Sequence, residues 1–253
     1  MHLNAAPTSL ILIPGGPGMD SGYFRPFLNA LAGPASLVPL DPGVDGQLNI
    51  IGLVEQVRNA VQQETARGQD VFLLGHSFGG ALALEYVKSH GESDLKGLAL
   101  VSWVHSAGFL AEFMANNPSY SEPVVDASLP PNERMRAAVL ADAELYFPPA
   151  VITKGRDVLA GIRYNKSLSE AIFGEYLGDF ELAETLAGLS LPVLSVTGGA
   201  DRVVSTNHVA TGVARLKNIR GAHVLGGAGH FPFVDAPEVF NSLVKEFIKS
   251  THS

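Results

Sequence analysis

Val71-Phe72-Leu73-Leu74-Gly75-His76-Ser77-Phe78-Gly79-Gly80 changes backbone character at its centre. Val71–Leu74 is a continuous apolar run, too short for a buried helix and suited to a strand covered on both faces. Ala81–Val87 then carries helical periodicity. Between them, Gly-x-Ser-x-Gly predicts a tight strand-to-helix turn that lifts the Ser77 hydroxyl above a sheet, at the positive end of a helix dipole. A phosphate-binding glycine loop would need a lysine and wider glycine spacing, and neither is present. Ser77 is therefore the candidate nucleophile.

Working outward, similar runs recur at Leu10–Ile13, Ser36–Leu40, Gly97–Val101, Val193–Val196 and Ala222–Leu225. Amphipathic stretches separate several of them. Ile50, Val54, Val57 and Val61 form one face, with Gly68 beyond it as a stop. Phe240, Leu243, Val244 and Phe247 form another, with Pro237 in the first turn and Asp235 expected to cap it. Strand–helix alternation predicts an α/β fold with a mostly parallel, doubly wound sheet, whose ligand sites lie beyond the carboxyl ends of the strands. Residues 103–179 break the rhythm with short helices, expected within Ser106–Asn116 and Pro131–Leu145, and a further helix follows at Glu181–Leu186. They predict a helical cap inserted into a core made of residues 1–102 and 180–253, in preference to a second independent domain.

Composition narrows the chemistry. The 253 residues include no cysteine, and 17 Lys+Arg against 25 Asp+Glu give a formal charge of −8. That removes disulfide scaffolds, thiolate zinc sites and a cysteine nucleophile. An acidic balance argues against nucleic-acid binding, and no apolar run is long enough to span a membrane. Met1–Ser9 lacks the basic and apolar regions of a leader, so the expectation is a cytoplasmic protein acting on a small molecule or short peptide.

A serine hydroxyl needs a base. Of eight histidines, His2 and His252 are terminal, His76 and His90 flank the nucleophile helix, His105 opens the cap, His208 falls in a helix and His223 in a strand. His230 follows Gly226-Gly227-Ala228-Gly229 on a loop at the expected carboxyl edge, where a flexible approach would bring the ring to Ser77. Asp201, beyond Val193–Val196 and its Gly-rich turn, is the candidate carboxylate; Asp179 and Asp235 are less well placed. Ile13-Pro14-Gly15-Gly16-Pro17-Gly18 offers small residues after the first run. The N–H groups of Gly16 and Phe78 are the candidate oxyanion donors.

The order Ser77, Asp201, His230 and these loops together resemble the α/β-hydrolase fold over nearly the whole chain. More narrowly, the chain is similar to the proline iminopeptidase and tricorn-interacting aminopeptidase family, in Gly15-Gly16-Pro17-Gly18, the glycine–serine motif, Gly198-Gly199-Ala200-Asp201 and Gly229-His230-Phe231. Within the cap, Arg163-Tyr164-Asn165, Ser169-Glu170-Ala171 and Gly178-Asp179-Phe180 resemble the family's segment that holds a glutamate for a substrate's free amino group. The resemblance thus implies Glu170 as a substrate-binding residue. Two positions depart from the family: its leading His is Pro14, and its Asp-Gln-Arg-Gly-x-Gly loop is Asp41-Pro42-Gly43-Val44-Asp45-Gly46.

The expected activity is acyl transfer by a serine hydrolase with no cofactor or metal. Glu170 facing Ser77 would favour an aminopeptidase or amidase; Glu170 facing solvent would favour esters or thioesters of small acids. A non-hydrolytic binder on the same fold and a proton shuttle are the rival readings. Trp103, Phe109, Phe113, Tyr146 and Phe147 are candidates for the acyl pocket or for packing within the cap.

Overall fold

The computed structural model describes residues 7–42 and 48–251. Its strands are β1 (Thr8–Ile13), β2 (Ser36–Pro39), β3 (Asp70–His76), β4 (Gly97–Val101), β5 (Val193–Gly198) and β6 (Ile219–Leu225). They form one sheet in the order β2-β1-β3-β4-β5-β6, with every neighbouring pair parallel. Each predicted apolar run lies wholly or almost wholly inside a strand. Alternate residues serve opposite faces, as a period of two demands. Ile11, Ile13, Leu73, Leu98 and Leu100 join one core cluster, while Leu10, Leu12, Phe72, Leu74 and Val101 join the other.

The helices are α1 (Arg25–Leu28), α2 (Ile50–Ala66), α3 (Phe78–His90), α4 (Gly108–Asn116), α5 (Pro131–Ala141), α6 (Ala143–Tyr146), α7 (Ile152–Ala160), α8 (Lys166–Glu175), α9 (Ala183–Gly188), α10 (Thr206–Val213), α11 (Pro232–Asp235) and α12 (Pro237–Thr251). Helices α2, α3 and α10 cover one face of the sheet, and α1, α11 and α12 the other. On α12, Phe240, Val244, Phe247 and Ile248 are buried along one stripe. Burying side chains of this size stabilises the fold by roughly 1.5–3 kcal/mol each.

Between β4 and β5 the chain is helical, α4 to α9, as the missing apolar runs predict. The stretch leans on both core clusters: Leu168 and Ile172 on one, Val139, Phe147 and Leu159 on the other. The helix expected over 131–145 is interrupted at Asp142, whose φ of −84° and ψ of 12° end α5 and whose carboxylate accepts the Tyr120 hydroxyl at 3.0 Å. Arg163 ties the stretch to the core by pairing with Asp20 and Asp41, each at 2.7 Å. His2, His252 and Gly43–Gly46 of the departing loop lie outside the described residues.

The strand order reverses between β1 and β3, where Ile13 pairs in register with Gly75. In a doubly wound sheet such a reversal opens a crevice at the carboxyl ends. The loops after these two strands carry Gly16 and Ser77.

Candidate active site

Ser77 joins β3 to α3 with φ 55° and ψ −121°, a left-handed conformation that costs a non-glycine residue on the order of 1–3 kcal/mol. The Ser77 N–H donates to Val101 O and Ser77 O accepts from Gly80 N, each at 2.9 Å, which pins the turn. Gly79 must lack a side chain, because a Cβ there would enter Ile13 O. Ser77 occupies the N-cap position of α3, where a serine commonly accepts a helix N–H through its hydroxyl. It makes no such bond. The hydroxyl is left for the cavity that Ser77 lines together with Gly16, Phe78 and His230.

His230 Nδ1 lies 2.8 Å from Asp201 Oδ2, and both side chains are almost wholly buried. The other carboxylate oxygen, Oδ1, accepts from Val203 N at 2.8 Å and Val204 N at 2.9 Å, so Asp201 cannot rotate away. A carboxylate facing Nδ1 keeps the proton there and leaves Nε2 as the ring's acceptor. Gly229 serves close packing rather than flexibility: a Cβ there would enter Tyr146 O, which also accepts the His230 N–H at 2.7 Å.

A second chain of bonds runs beneath. Gly15 N–H donates to Tyr23 Oη at 2.6 Å, Tyr23 Oη is 2.9 Å from His76 Nδ1, and His76 Nε2 is 2.8 Å from His230 O. A carbonyl can only accept, so Nε2 carries the His76 proton, and Nδ1 must accept the Tyr23 hydroxyl proton. Burial, then the neighbouring His230, hold the His76 pKa well below the ordinary histidine range. His76 is therefore neutral at physiological pH. This chain joins the loop after β1, the strand before Ser77 and the loop carrying His230. It also occupies the Gly15 N–H, so Gly16 supplies the next free backbone donor of that loop. Phe78 is the first residue of α3, and its N–H has no partner within the helix.

Asp235 does not cap α12 as expected. Its Oδ2 instead accepts the Gly229 N–H at 2.6 Å, and Oδ1 has no partner among the described residues. Burial pushes its pKa up to about 6.

Glu170 is the residue that the family resemblance implies for substrate binding. It sits on the exposed face of α8 and pairs with Lys166 one turn earlier, at 2.6 Å, away from the cavity that holds Ser77. The i, i+4 spacing of Lys166 and Glu170 was a readable signal for that pair. Of the aromatic candidates, Phe109 and Tyr146 line the cavity. Trp103 is buried and donates to Ser195 Oγ at 3.0 Å, Phe147 belongs to the core, and Phe113 packs on Tyr120. Tyr23 and the role of His76 escaped the sequence reading, since each resembles an ordinary core aromatic.

The cavity at Ser77 has a volume of about 130 Å³ and is walled by apolar groups such as Val104, Leu177 and Val203. It adjoins an outer chamber of about 400 Å³, which shares Gly16, Met19, Tyr146 and Phe173 with it. Among the described residues, no helix is long and apolar enough to cross a membrane and no His, Asp and Glu group gathers as a metal ion would require.

Comparison with known proteins bears on the fold. RutD of Azorhizobium caulinodans, whose name assigns it provisionally to carbamate hydrolysis, is 26% identical over 252 residues, covering 94% of this chain and 90% of that protein. The esterase RhEst1 of Rhodococcus sp. ECU1013 superposes with a TM-score of 0.73 at 22% identity, over 98% of this chain and 92% of its own. Proline iminopeptidase of Mycobacterium smegmatis gives 0.70 at 21% identity, over 97% and 90%. The model of the alpha/beta hydrolase family matches residues 10–243, and the chain belongs to that family.

Proposed function

We propose that the chain is a serine hydrolase that cleaves esters or thioesters of small acids by acyl transfer. The observation that carries this reading is a serine in a strained left-handed turn sharing one cavity with a histidine whose Nδ1 is held by a buried aspartate. His230 Nε2 takes the Ser77 proton as Oγ attacks the carbonyl carbon. Gly16 and Phe78 N–H groups bind the oxyanion; one such donor contributes about 2.7–4 kcal/mol in comparable enzymes. His230 then protonates the leaving oxygen or sulfur, and the same imidazole activates water to release the acyl group from Ser77. The helices of residues 103–179 act as a cap that shields the reaction from bulk water.

The free-amine substrate of an aminopeptidase loses its support here, because Glu170 faces solvent and is occupied by Lys166. A fluorophosphonate probe tests the mechanism. The protein should label at Ser77 and hydrolyse p-nitrophenyl acetate, and Ser77→Ala should lose both. Folded protein that neither labels nor hydrolyses overturns the reading. Turnover of free-amine p-nitroanilides above that of p-nitrophenyl esters would restore the aminopeptidase.

A further inference from the structure

The outer chamber holds a cation without a partner. Helix α5 presents Arg134 and Ala138 to it, one turn apart on one face, and Asp142, the residue that ends the helix, lines it next. Arg134 is half-buried, its Nε is fully enclosed without a hydrogen-bond acceptor, and no carboxylate lies within ion-pair distance of its guanidinium among the described residues. A buried guanidinium donor left unmatched is costly, and the fork geometry of arginine suits a carboxylate.

The neighbours sharpen this. Lys166 lines the same chamber but is occupied by Glu170. Asp142 is engaged by the Tyr120 hydroxyl and lies outside ion-pair distance of Arg134. Glu122 also lines the chamber, at its solvent-exposed rim, and is not paired with Arg134. Arg134 is thus the charged group of the chamber best placed to receive a ligand, and Tyr146 lines both the chamber and the Ser77 cavity.

We infer that the substrate is an ester or thioester carrying a carboxylate on the part remote from the scissile bond, with its small apolar acyl group beside Ser77 and the carboxylate on Arg134. The inference rests on the proposed hydrolase activity for the reaction, while the recognition of the carboxylate stands apart from it.

The experiment pairs 3-acetoxybenzoate with neutral 3-acetoxybenzamide and positively charged 3-acetoxybenzylamine, reading kcat/KM for each. The protein should favour the carboxylate over the amide by about tenfold or more, the range expected for a charge-assisted hydrogen bond. Arg134→Gln should bring that ratio close to one, and Arg134→Lys, which keeps the charge and guards against misfolding, should retain part of it. A ratio unchanged in Arg134→Gln, or a preference for the amine, overturns the inference. Calorimetry of non-cleavable 3-acetamidobenzoate binding to Ser77→Ala, with and without Arg134→Gln, separates the two claims. Arg134-dependent binding without hydrolysis would sink the hydrolase reading alone. Hydrolysis indifferent to Arg134 would sink this inference alone. Absence of both would sink both.

Discussion

Helices α3 and α4 are neighbours of the same cavity, yet they are held in opposite ways. Residues Phe78 to Val87 of α3 are all buried, whereas α4 contains no buried residue. Ser77, the proposed nucleophile, is therefore mounted on an element whose displacement would open the main core. Within the stretch between β4 and β5, α4 covers the cavity without being embedded in the core, unlike α8, whose Leu168 and Ile172 are buried in it. A rigid floor suits a reaction that depends on fixed proton geometry, and a lightly held cover suits the entry and exit of substrate.

The sharpest way to break this contrast is Leu82→Ala. Leu82 is wholly buried in the core beneath α3, and its truncation should cost about 2–5 kcal/mol in chemical denaturation. A cost below one kcal/mol would mean that α3 is no better anchored than the cap. Tyr23→Phe tests the floor with a single atom. Its hydroxyl satisfies both Gly15 N–H and His76 Nδ1, so its loss leaves two buried groups unpaired and should destabilise the protein by about 1–3 kcal/mol. Turnover should fall along with stability, and kcat that stays unchanged would show that the chain of bonds does not position His230.

Asp235→Asn gives a pH-dependent outcome. A carboxyl whose pKa is raised to about 6 by folding stabilises the folded state most below its unfolded value, and that contribution is lost as pH rises through 6. Asparagine keeps an acceptor for Gly229 N–H and carries no charge. The melting temperature of the variant relative to the parent should therefore be higher at pH 8 than at pH 4, and a difference independent of pH would refute the burial of that charge. The smallest effect is expected from Met114→Ala on α4. Met114 is 53% exposed, and the change should stay within about 0.5 kcal/mol.

Much of the floor was legible in the sequence because its physics is local. Strands covered on both faces are written as unbroken apolar runs, and Ser77, Asp201 and His230 each stand directly behind a run or its turn. What escaped depends on partners distant in the chain. Asp235 has the spacing of a helix cap, but its carboxylate is claimed by Gly229, and nothing local records that choice. Tyr23 and His76 lie 53 residues apart, and only the packing of β3 against the loop after β1 brings them together. Arg134 reads as one more charge on an amphipathic helix until the cavity beside it is known. Glu170 is the opposite case: the family resemblance drew attention inward, while its own neighbour Lys166 pointed to solvent.

One of the bonds between the two regions reaches the loop that carries His230. The carbonyl of Tyr146, at the end of α6, receives the amide proton of His230. A movement of the stretch between β4 and β5 that preserves this link leaves α6 in place, whereas α4, which has no buried residue, is not held in the core. On the proposed mechanism, a movement that breaks it would release His230 from its seat, so α6 is the corner that must stay closed while the imidazole works.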